Sequence, residues 1–266
     1  MSANDGARPG DAPRTLVVVP TYNESLTLPG TVGRLRAAAP WADVLVVDDG
    51  SPDGTGRLAE EMGEADPAIH VLHREGKQGL GTAYVAGFGW ALERGYEIIC
   101  EMDADGSHRP EQMPDLLARI SADPRVDLVI GSRWVPGGEV ENWPLHREVL
   151  SRGANLYTRV MLGMPVGDAT AGFRAFRAEM LEKLDLPSVS SQGYCFQVDM
   201  TRRVVEAGGK VAEVPITFVE REAGVSKMSR NIIVEALGKV TVWGVQKRGR
   251  QLRGLLPGGS TGASAR

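Results

Sequence analysis

The first half of the chain alternates short apolar runs with helical patterns, and this alternation restricts the possible folds more than any other feature. The runs are rich in Val, Leu and Ile and cover 15–19, 44–47, 69–73, 96–102 and 126–130. The intervening patterns predict helices over 25–39, 56–63, 78–94 and 110–121. Ser25 is the expected cap of the first helix, and Pro20 is expected to end the first strand. Because strands joined by helices become parallel neighbours, we predict an α/β fold with a mostly parallel central sheet flanked by helices.

Polar residues follow the first, second, fourth and fifth apolar runs. The carboxyl ends of parallel strands lie at one edge of the sheet, where ligands bind in open α/β folds. The sequence therefore predicts one crevice surrounded by Tyr22, Glu24, Asp49, Asp103, Asp105 and Arg133.

The segment Asp103-Ala104-Asp105-Gly106 places two carboxylates at the end of the fourth predicted strand. Side chains at i and i+2 lean to the same side of a strand, and Gly106 allows a sharp turn. Such a pair suits a hard divalent cation that carries substrate phosphates. The alternative is an acidic turn that caps the next helix, near Pro110.

The second half of the chain is less regular. It predicts helices over 146–162, 195–207 and 231–246, strands over 211–214 and 216–219, and a polar loop at 168–174 that leads into a short strand. We divide the chain into a disordered tail (1–13), one domain (14–230), an amphipathic helix (231–248) and a disordered basic tail (249–266).

Composition excludes several classes of protein. The 266 residues suit one large α/β domain, and a net charge of −4 gives no basic field for nucleic acid. Residues 1–14 lack the apolar run of a signal peptide, and the longest uncharged run, 78–92, is too short and too rich in Gly to span a bilayer. Cys100 and Cys195 lie in apolar segments, which indicates reduced core thiols in a cytoplasmic protein.

Six motifs resemble those of the inverting, GT-A-type glycosyltransferases of family 2, and the last two favour the branch that uses lipid phosphates. They lie at 20–24 (Pro-Thr-Tyr-Asn-Glu), 47–55, 102–105, 131–133, 168–174 and 218–221, the last followed by Ser226-Lys227-Met228. The resemblance extends over about Thr15 to Met228. It implies the Rossmann-like GT-A fold of nucleotide-diphospho-sugar transferases.

The resemblance also implies an activity, transfer of mannose from GDP-mannose to a polyprenyl (dolichyl-type) monophosphate. Two alternatives remain open, a polyprenyl-phosphate glucosyltransferase or other sugar-nucleotide transferase, and a non-catalytic nucleotide-binding subunit. Many members of the branch end in transmembrane helices, which this sequence does not contain. The implied partners are therefore the cytoplasmic face of a membrane and a separate integral membrane protein.

Site residues follow from the resemblance position by position. The implied nucleotide site comprises Pro20, Tyr22, Glu24, Val47 and Asp49. Asp103, Ala104 and Asp105 are implied to hold the diphosphate and sugar through Mg²⁺ or Mn²⁺. Arg133 is implied to lie near the sugar and phosphates, with Arg221 and Lys227 closing over them. Asp105 and Arg133 are the implied catalytic residues. Some relatives have a metal-ligating Gln where this chain has Ser107.

The acceptor chemistry favours arginine. A phosphate monoester has its second pKa near 6, so it is largely ionised at neutral pH and needs no strong general base. We expect Arg133 and Arg147 to position the acceptor phosphate, and Arg221 with Lys227 to hold the donor; surface solvation is the alternative for each. Asp168 is expected either to orient acceptor-side groups or the loop, or to be a structural cap.

Three further features leave alternatives open. Lys77 is a weak phosphate candidate, and the four histidines have no metal-ligand spacing, which favours surface or strand roles. The apolar stripe from Ile232 to Trp243, with its basic end, suits either the core or a bilayer surface.

Overall fold

The computed structural model describes residues 12–189, 194–220 and 230–255. Its first half contains the predicted alternation of strands and helices. The elements are β1 (Thr15–Thr21), α1 (Leu28–Ala38), β2 (Asp43–Asp48), α2 (Thr55–Ala65), β3 (Ile69–His73), α3 (Leu80–Glu93), β4 (Ile98–Glu101), α4 (Met113–Ala122) and β5 (Val126–Ser132).

The second half adds four strands and four helices within the described residues. They are β6 (Glu139–Glu141), α5 (Leu145–Leu162), β7 (Arg174–Arg177), α6 (Ala178–Lys183), α7 (Tyr194–Glu206), β8 (Lys210–Pro215), β9 (Thr217–Val219) and α8 (Arg230–Leu255). The last helix extends beyond its predicted end at residue 248 into the segment expected to be a disordered tail. Residues 1–11, 221–229 and 256–266, which include Arg221, Lys227 and most of both predicted tails, lie outside the described residues.

Seven strands form the central sheet in the order β3-β2-β1-β4-β7-β5-β8. The pairs β3–β2, β2–β1, β1–β4 and β5–β8 are parallel, whereas β7 is antiparallel to both of its neighbours, β4 and β5. This confirms the prediction of a mostly parallel sheet. A separate two-stranded parallel sheet joins β6 to β9.

Two boundary predictions in the first crossover are wrong. β1 continues through Pro20 to Thr21. The nitrogen of Pro20, which has no hydrogen to donate, faces β4, and β4 pairs with β1 only as far as Val18, so Pro20 does not interrupt the sheet. The helix begins at Leu28 and not near Ser25, and residues 25–27 form a turn in which the Glu24 carbonyl accepts the N–H groups of Thr27 and Leu28.

The two faces of the sheet bury separate apolar clusters. Val17 and Val18 point to opposite faces, as adjacent strand residues must, and both are fully buried. Val17 packs in the cluster that includes residues of α1, α2 and α4, and Val18 in the cluster that includes residues of α3, α5, α6, α7 and α8. Both cysteines are buried, as predicted. Among the helices described here, none is long and apolar enough to cross a membrane.

Candidate functional site

The candidate site lies at the carboxyl edge of the central sheet. The strand order places β2, β1 and β4 side by side, so their following segments share this edge. Asp49 follows β2, Tyr22 follows β1, and the Asp103–Asp105 segment follows β4. β5, which precedes Arg133, is separated from β4 by the antiparallel strand β7.

The two aspartates of the turn after β4 are held by local hydrogen bonds. Asp103 is half-buried, and its Oδ1 accepts a hydrogen bond of 3.1 Å from the Tyr84 hydroxyl. Burial raises the pKa of Tyr84 well above its ordinary value, so the phenol keeps the proton that it donates. Asp105 is buried, and its Oδ1 accepts from both the backbone N–H of Ser107 (3.0 Å) and the Ser107 hydroxyl (2.5 Å). The Ser107 hydroxyl therefore orients Asp105.

His108 lies directly against this turn, although a surface or strand role was expected for it. It forms an isolated β-bridge with Phe218, and its buried imidazole stacks on Phe173 with ring centroids 5.1 Å apart. Its Nδ1 accepts from the backbone N–H of Asp103 at 3.3 Å. Burial lowers the pKa of His108 to about 4, which keeps the ring neutral and able to accept that bond. In the sequence, the feature that could have pointed to a site role for His108 is its position three residues after Asp105.

Arg133 forms a buried two-point ion pair with Asp168. Its Nε and Nη2 each lie 2.7 Å from an oxygen of the Asp168 carboxylate, and Nη2 also donates to the Thr170 hydroxyl at 2.9 Å. Burial raises the pKa of Asp168, but the Arg133 charge and the hydrogen bonds outweigh this effect and hold it below its ordinary value. Asp168 therefore orients the Arg133 side chain.

Aromatic rings surround the same guanidinium. The Arg133 carbon Cζ lies 5.5 Å from the ring centroids of Trp134 and Trp143 and 5.3 Å from that of Phe218. Arg147 lies 4.1 Å above the Trp143 ring and forms an ion pair with Glu220. The two arginines expected to act together therefore share one aromatic neighbour.

A cavity of about 90 Å³ between α5 and α8 opens beside these arginines, and we call it the α5–α8 groove. Its lining is mostly apolar and comprises Arg133, Trp143, Arg147, Leu150, Ser151, Ala154, Thr158, Thr170, Cys195, Val198, Ala236, Leu237 and Val240. The groove thus combines two cationic side chains with an apolar interior.

Asp49, at the end of β2, is held by a residue that the sequence did not single out. Its Oδ1 accepts from Arg74 Nη1 at 2.6 Å, and its Oδ2 accepts from the backbone N–H of Gln78 at 3.3 Å. Lys77 Nζ lies 4.5 Å from the centroid of the Tyr22 ring in the same region. Arg74 precedes the glycine-rich segment 76–81, and its position opposite Asp49 becomes visible only in the folded chain.

The remaining candidates for the nucleotide site contribute differently. Val47 pairs with Pro20 on one side and Leu72 on the other, and its side chain is fully buried in the core. Ala104 is also buried, and its carbonyl accepts from the Thr31 hydroxyl. Glu24 is half-buried, and its carboxylate accepts from the Thr27 hydroxyl.

A fully buried arginine shapes the loop that carries Asp168. Arg174 donates to the carbonyl oxygens of Ala169 (2.8 Å), Ala171 (2.7 Å) and Gln197 (2.9 Å), and so ties the loop to α7. Burial raises the pKa of Glu101, next to Arg174, to about 7, against the effect of the Arg174 charge. Arg174 was identified only as the last residue of the 168–174 motif, and its buried hydrogen bonds were not predicted.

Sequence comparison relates the chain to sugar transferases. Residues 16–185 match the model of Glycosyl transferase family 2. A polyprenol monophosphomannose synthase of Mycolicibacterium smegmatis is 57% identical over 244 residues, which cover 91% of this chain and 91% of that protein. An undecaprenyl-phosphate mannosyltransferase of Micrococcus luteus is 56% identical over 243 residues, covering 91% of this chain and 99% of that protein.

Solved structures share the fold at low sequence identity. A glucosyl-3-phosphoglycerate synthase of Mycobacterium tuberculosis, solved with Mn²⁺ and UDP-glucose, aligns with a TM-score of 0.65 at 19% identity, over 89% of this chain and 79% of that one. A mannosyltransferase of Pyrobaculum calidifontis, solved with GDP-mannose and Mn²⁺, aligns with a TM-score of 0.57 at 21% identity, over 90% and 64% of the two chains. These similarities concern the fold.

Proposed function

The chain belongs to glycosyl transferase family 2, and we propose that it transfers mannose, with inversion, from GDP-mannose to a polyprenyl monophosphate. The observation that carries the acceptor assignment is the α5–α8 groove, an apolar cavity lined by Arg133 and Arg147. A phosphate with a long apolar chain matches this combination of charge and apolar surface. The relatives that act on polyprenyl phosphates, at 56% and 57% identity, support the same assignment.

We place the donor along the edge formed by β2, β1 and β4. Asp49 and the Asp103–Asp105 pair follow strands that are two positions apart, a separation of about 10 Å across the sheet. A nucleoside diphosphate can extend over such a distance, with the base near Asp49 and the phosphates near the paired carboxylates. Arg221 and Lys227, which lie outside the described residues, are proposed to hold the donor.

The paired carboxylates fit a divalent cation, Mg²⁺ or Mn²⁺. In the described part of the chain, no cluster of three or more His, Cys, Asp or Glu side chains could hold a metal by itself. Mg²⁺ commonly binds through one or two carboxylates together with substrate phosphates, which matches Asp103 and Asp105. When bound, such an ion stabilises the negative charge that develops on a departing diphosphate.

The acceptor phosphate needs positioning more than activation. In the proposed reaction an ionised phosphate oxygen forms a bond to the anomeric carbon while the bond from that carbon to the diphosphate breaks, releasing GDP. Approach from the face opposite the diphosphate inverts the anomeric configuration. Arg133, fixed by Asp168, would aim its planar guanidinium at the acceptor phosphate, and Arg147 would add a second positive charge.

We propose that α5 rests on the membrane surface that holds the acceptor. Its α5 stripe, defined as Leu145, Val149, Leu156 and Val160, has exposed fractions of 75%, 61%, 57% and 61%. At 100° per residue these four side chains fall within an arc of about 60°. The α5 side chains that line the groove lie on another face of the helix, and the nearest of them, Leu150, is about 80° around the helix from Val160 and 46% exposed. In α8, Val240 is buried in the core, whereas Leu237, Val242 and Val245 are exposed.

The assignment is tested by incubating the purified protein with a panel of labelled nucleotide sugars, a short polyprenyl phosphate and Mg²⁺ or Mn²⁺. We expect GDP-mannose to give a chloroform-soluble labelled product that requires both the lipid phosphate and the cation. Labelled lipid from UDP-glucose alone would overturn the donor assignment in favour of a glucosyltransferase. Absence of product from every donor would support a nucleotide-binding subunit.

A further inference from the structure

We propose that Arg74 is a specificity-determining residue that positions the Asp49 carboxylate for the N1–H and 2-amino groups of guanine. Arg74 acts through Asp49 and not on the substrate itself. The inference rests on the proposed function, since it requires a guanine nucleotide in the crevice at the carboxyl edge of the sheet.

Arg74 connects three segments at this edge. Its Nη1 donates to Asp49 Oδ1 at 2.6 Å, and its Nη2 donates to Gln78 Oε1 and to the Thr82 hydroxyl, both at 3.0 Å. Its backbone N–H also donates to the carbonyl of Asp48 at 2.8 Å. The Arg74 side chain is 11% exposed and the Asp49 side chain 6%. The planar guanidinium is therefore fixed from β2, from the loop after β3 and from the first turn of α3.

These contacts define the orientation of a side chain that would otherwise rotate. The terminal torsion of Asp has a broad, roughly two-fold preference, so an aspartate without partners samples many carboxylate orientations. In Asp49, Oδ1 is fixed by the hydrogen bond from Arg74, and Oδ2 accepts a longer hydrogen bond from the backbone N–H of Gln78. A carboxylate has about four lone-pair sites, so two bonds leave capacity for donors from a ligand.

Guanine differs from other bases in the donors that it presents side by side. Its N1–H and 2-amino group suit an oriented carboxylate, whereas hypoxanthine keeps N1–H and lacks the amino group. If Arg74 orients Asp49, the protein should bind GDP more tightly than IDP, the diphosphate of inosine. Loss of Arg74 should remove this difference without weakening the contacts of the diphosphate.

A second ion pair of the same type provides the control. Arg36 donates to Asp66 at 2.8 Å and also to the carbonyls of Pro40 and Ala42. Because Arg36 lies in the last turn of α1 and Ala42 precedes β2, this pair is at the opposite edge of the sheet. Arg36→Gln therefore removes a partly buried ion pair of the same kind without touching the crevice.

The experiment measures the affinities of GDP and IDP by titration calorimetry with Mg²⁺ present, for the wild type and for Arg74→Gln, Arg74→Lys and Arg36→Gln. We expect the wild type to prefer GDP over IDP by about tenfold, the effect of one hydrogen bond to a charged acceptor. Arg74→Gln should lower this ratio towards one, Arg74→Lys should restore part of it, and Arg36→Gln should retain it. The KM for GDP-mannose should rise in Arg74→Gln, while kcat and the KM for the acceptor stay the same.

An unchanged GDP/IDP ratio in Arg74→Gln would overturn the proposal, as would an equal loss of the ratio in Arg36→Gln. The double variant Asp49→Asn/Arg74→Gln gives a second test, because two residues that act as one unit should lose no more selectivity together than either loses alone. If Arg74→Gln does not fold, the affinities are compared in Arg74→Lys and Asp49→Asn instead. A wild-type GDP/IDP ratio in both of these variants contradicts the proposal. Failure of the proposed function is separate, since it appears in the wild type as an absence of mannose in the lipid product.

Discussion

Asp105 is oriented within its own turn, and the chemistry proposed for it depends on its charge. Both the backbone and the hydroxyl of Ser107 donate to one of its oxygens, an arrangement that an asparagine could keep through its carbonyl. Substitution by asparagine therefore removes the negative charge with little change of shape.

We predict that Asp105→Asn lowers kcat by a factor on the order of 100 to 1,000, the range seen when one electrostatic contribution to a transition state is lost. The measurement is initial-rate transfer to purified lipid phosphate at saturating cation. Asp115→Asn, the same change at an exposed position of α4, is the control and should keep wild-type activity. Full activity in Asp105→Asn would remove this residue from the catalytic scheme.

The ion pair between Arg133 and Asp168 combines a structural role with a functional one. Because both side chains are almost completely buried, removing the Asp168 charge leaves the buried Arg133 charge without its carboxylate partner. We predict that Asp168→Asn lowers the free energy of unfolding at pH 7 by about 3 kcal/mol or more. Urea unfolding measures this loss, and Glu61→Gln, which removes an exposed pair with Arg57, should cost less than about 1 kcal/mol.

The same pair predicts a pH dependence with a definite sign. The pKa of Asp168 is lower in the folded protein than in the unfolded chain, where it is near 3.9. Its stabilising contribution is therefore complete above about pH 4 and is lost as the pH falls through the lower, folded-state pKa. The stability difference between wild type and Asp168→Asn should shrink below pH 4, and a difference that stays constant down to pH 2 would contradict this explanation.

At the scale of elements, periodicity predicted the strands and helices but not the order of the sheet. The first five strands each have an apolar run, and each was found close to its predicted position. β7 has the sequence Arg-Ala-Phe-Arg and was expected only as a short strand after a loop. Its antiparallel place between β4 and β5 depends on pairing between distant segments, which local periodicity does not report. For the same reason β6, with three residues, was not predicted.

The candidate site shows the same limit. Asp49, Asp103, Asp105 and Arg133 were predicted because they follow strands in recognisable motifs. Arg74 and His108 were not, because their importance comes from the partners they meet across the fold, Asp49 for one and the backbone of Asp103 for the other. A sequence pattern shows which side chains lie at the sheet edge, and only the folded chain shows which side chains hold them.

The α5–α8 groove can be tested by filling it. Ala154 faces the groove from α5, and Ala154→Phe would place an aromatic ring in a cavity of about 90 Å³. We predict that this variant raises the KM for a polyprenyl phosphate about tenfold or more. The ring and the acceptor chain would compete for the same space, and overpacking of this kind typically costs about 1 to 3 kcal/mol. The KM for GDP-mannose should not change. Gly153→Ala, a small change next to it in a position without close neighbours, is the control.

At the scale of the whole molecule, the two proposed substrates approach from different sides and meet near Arg133. In the proposed arrangement the donor would lie along the carboxyl edge of β2, β1 and β4, whereas the acceptor would come through the groove between α5 and α8. The nucleotide is soluble in water and the acceptor is confined to a bilayer. Attachment of α5 to the membrane would therefore matter for one substrate and not for the other.

This separation leads to a prediction with two acceptors. Leu156→Glu places a charge in the α5 stripe and should weaken binding to anionic vesicles about tenfold or more, because one buried leucine contributes about 1.5 to 3 kcal/mol. Transfer to a long polyprenyl phosphate in those vesicles should fall in parallel, while transfer to a short, water-soluble analogue should keep its wild-type rate.

Leu26→Glu, at a residue 87% exposed in the turn before α1, is the control and should behave as wild type with both acceptors. Equal loss with the short and the long acceptor would mean that Leu156 acts inside the site, and an unchanged affinity for vesicles would mean that the α5 stripe contacts another surface, such as an integral membrane protein.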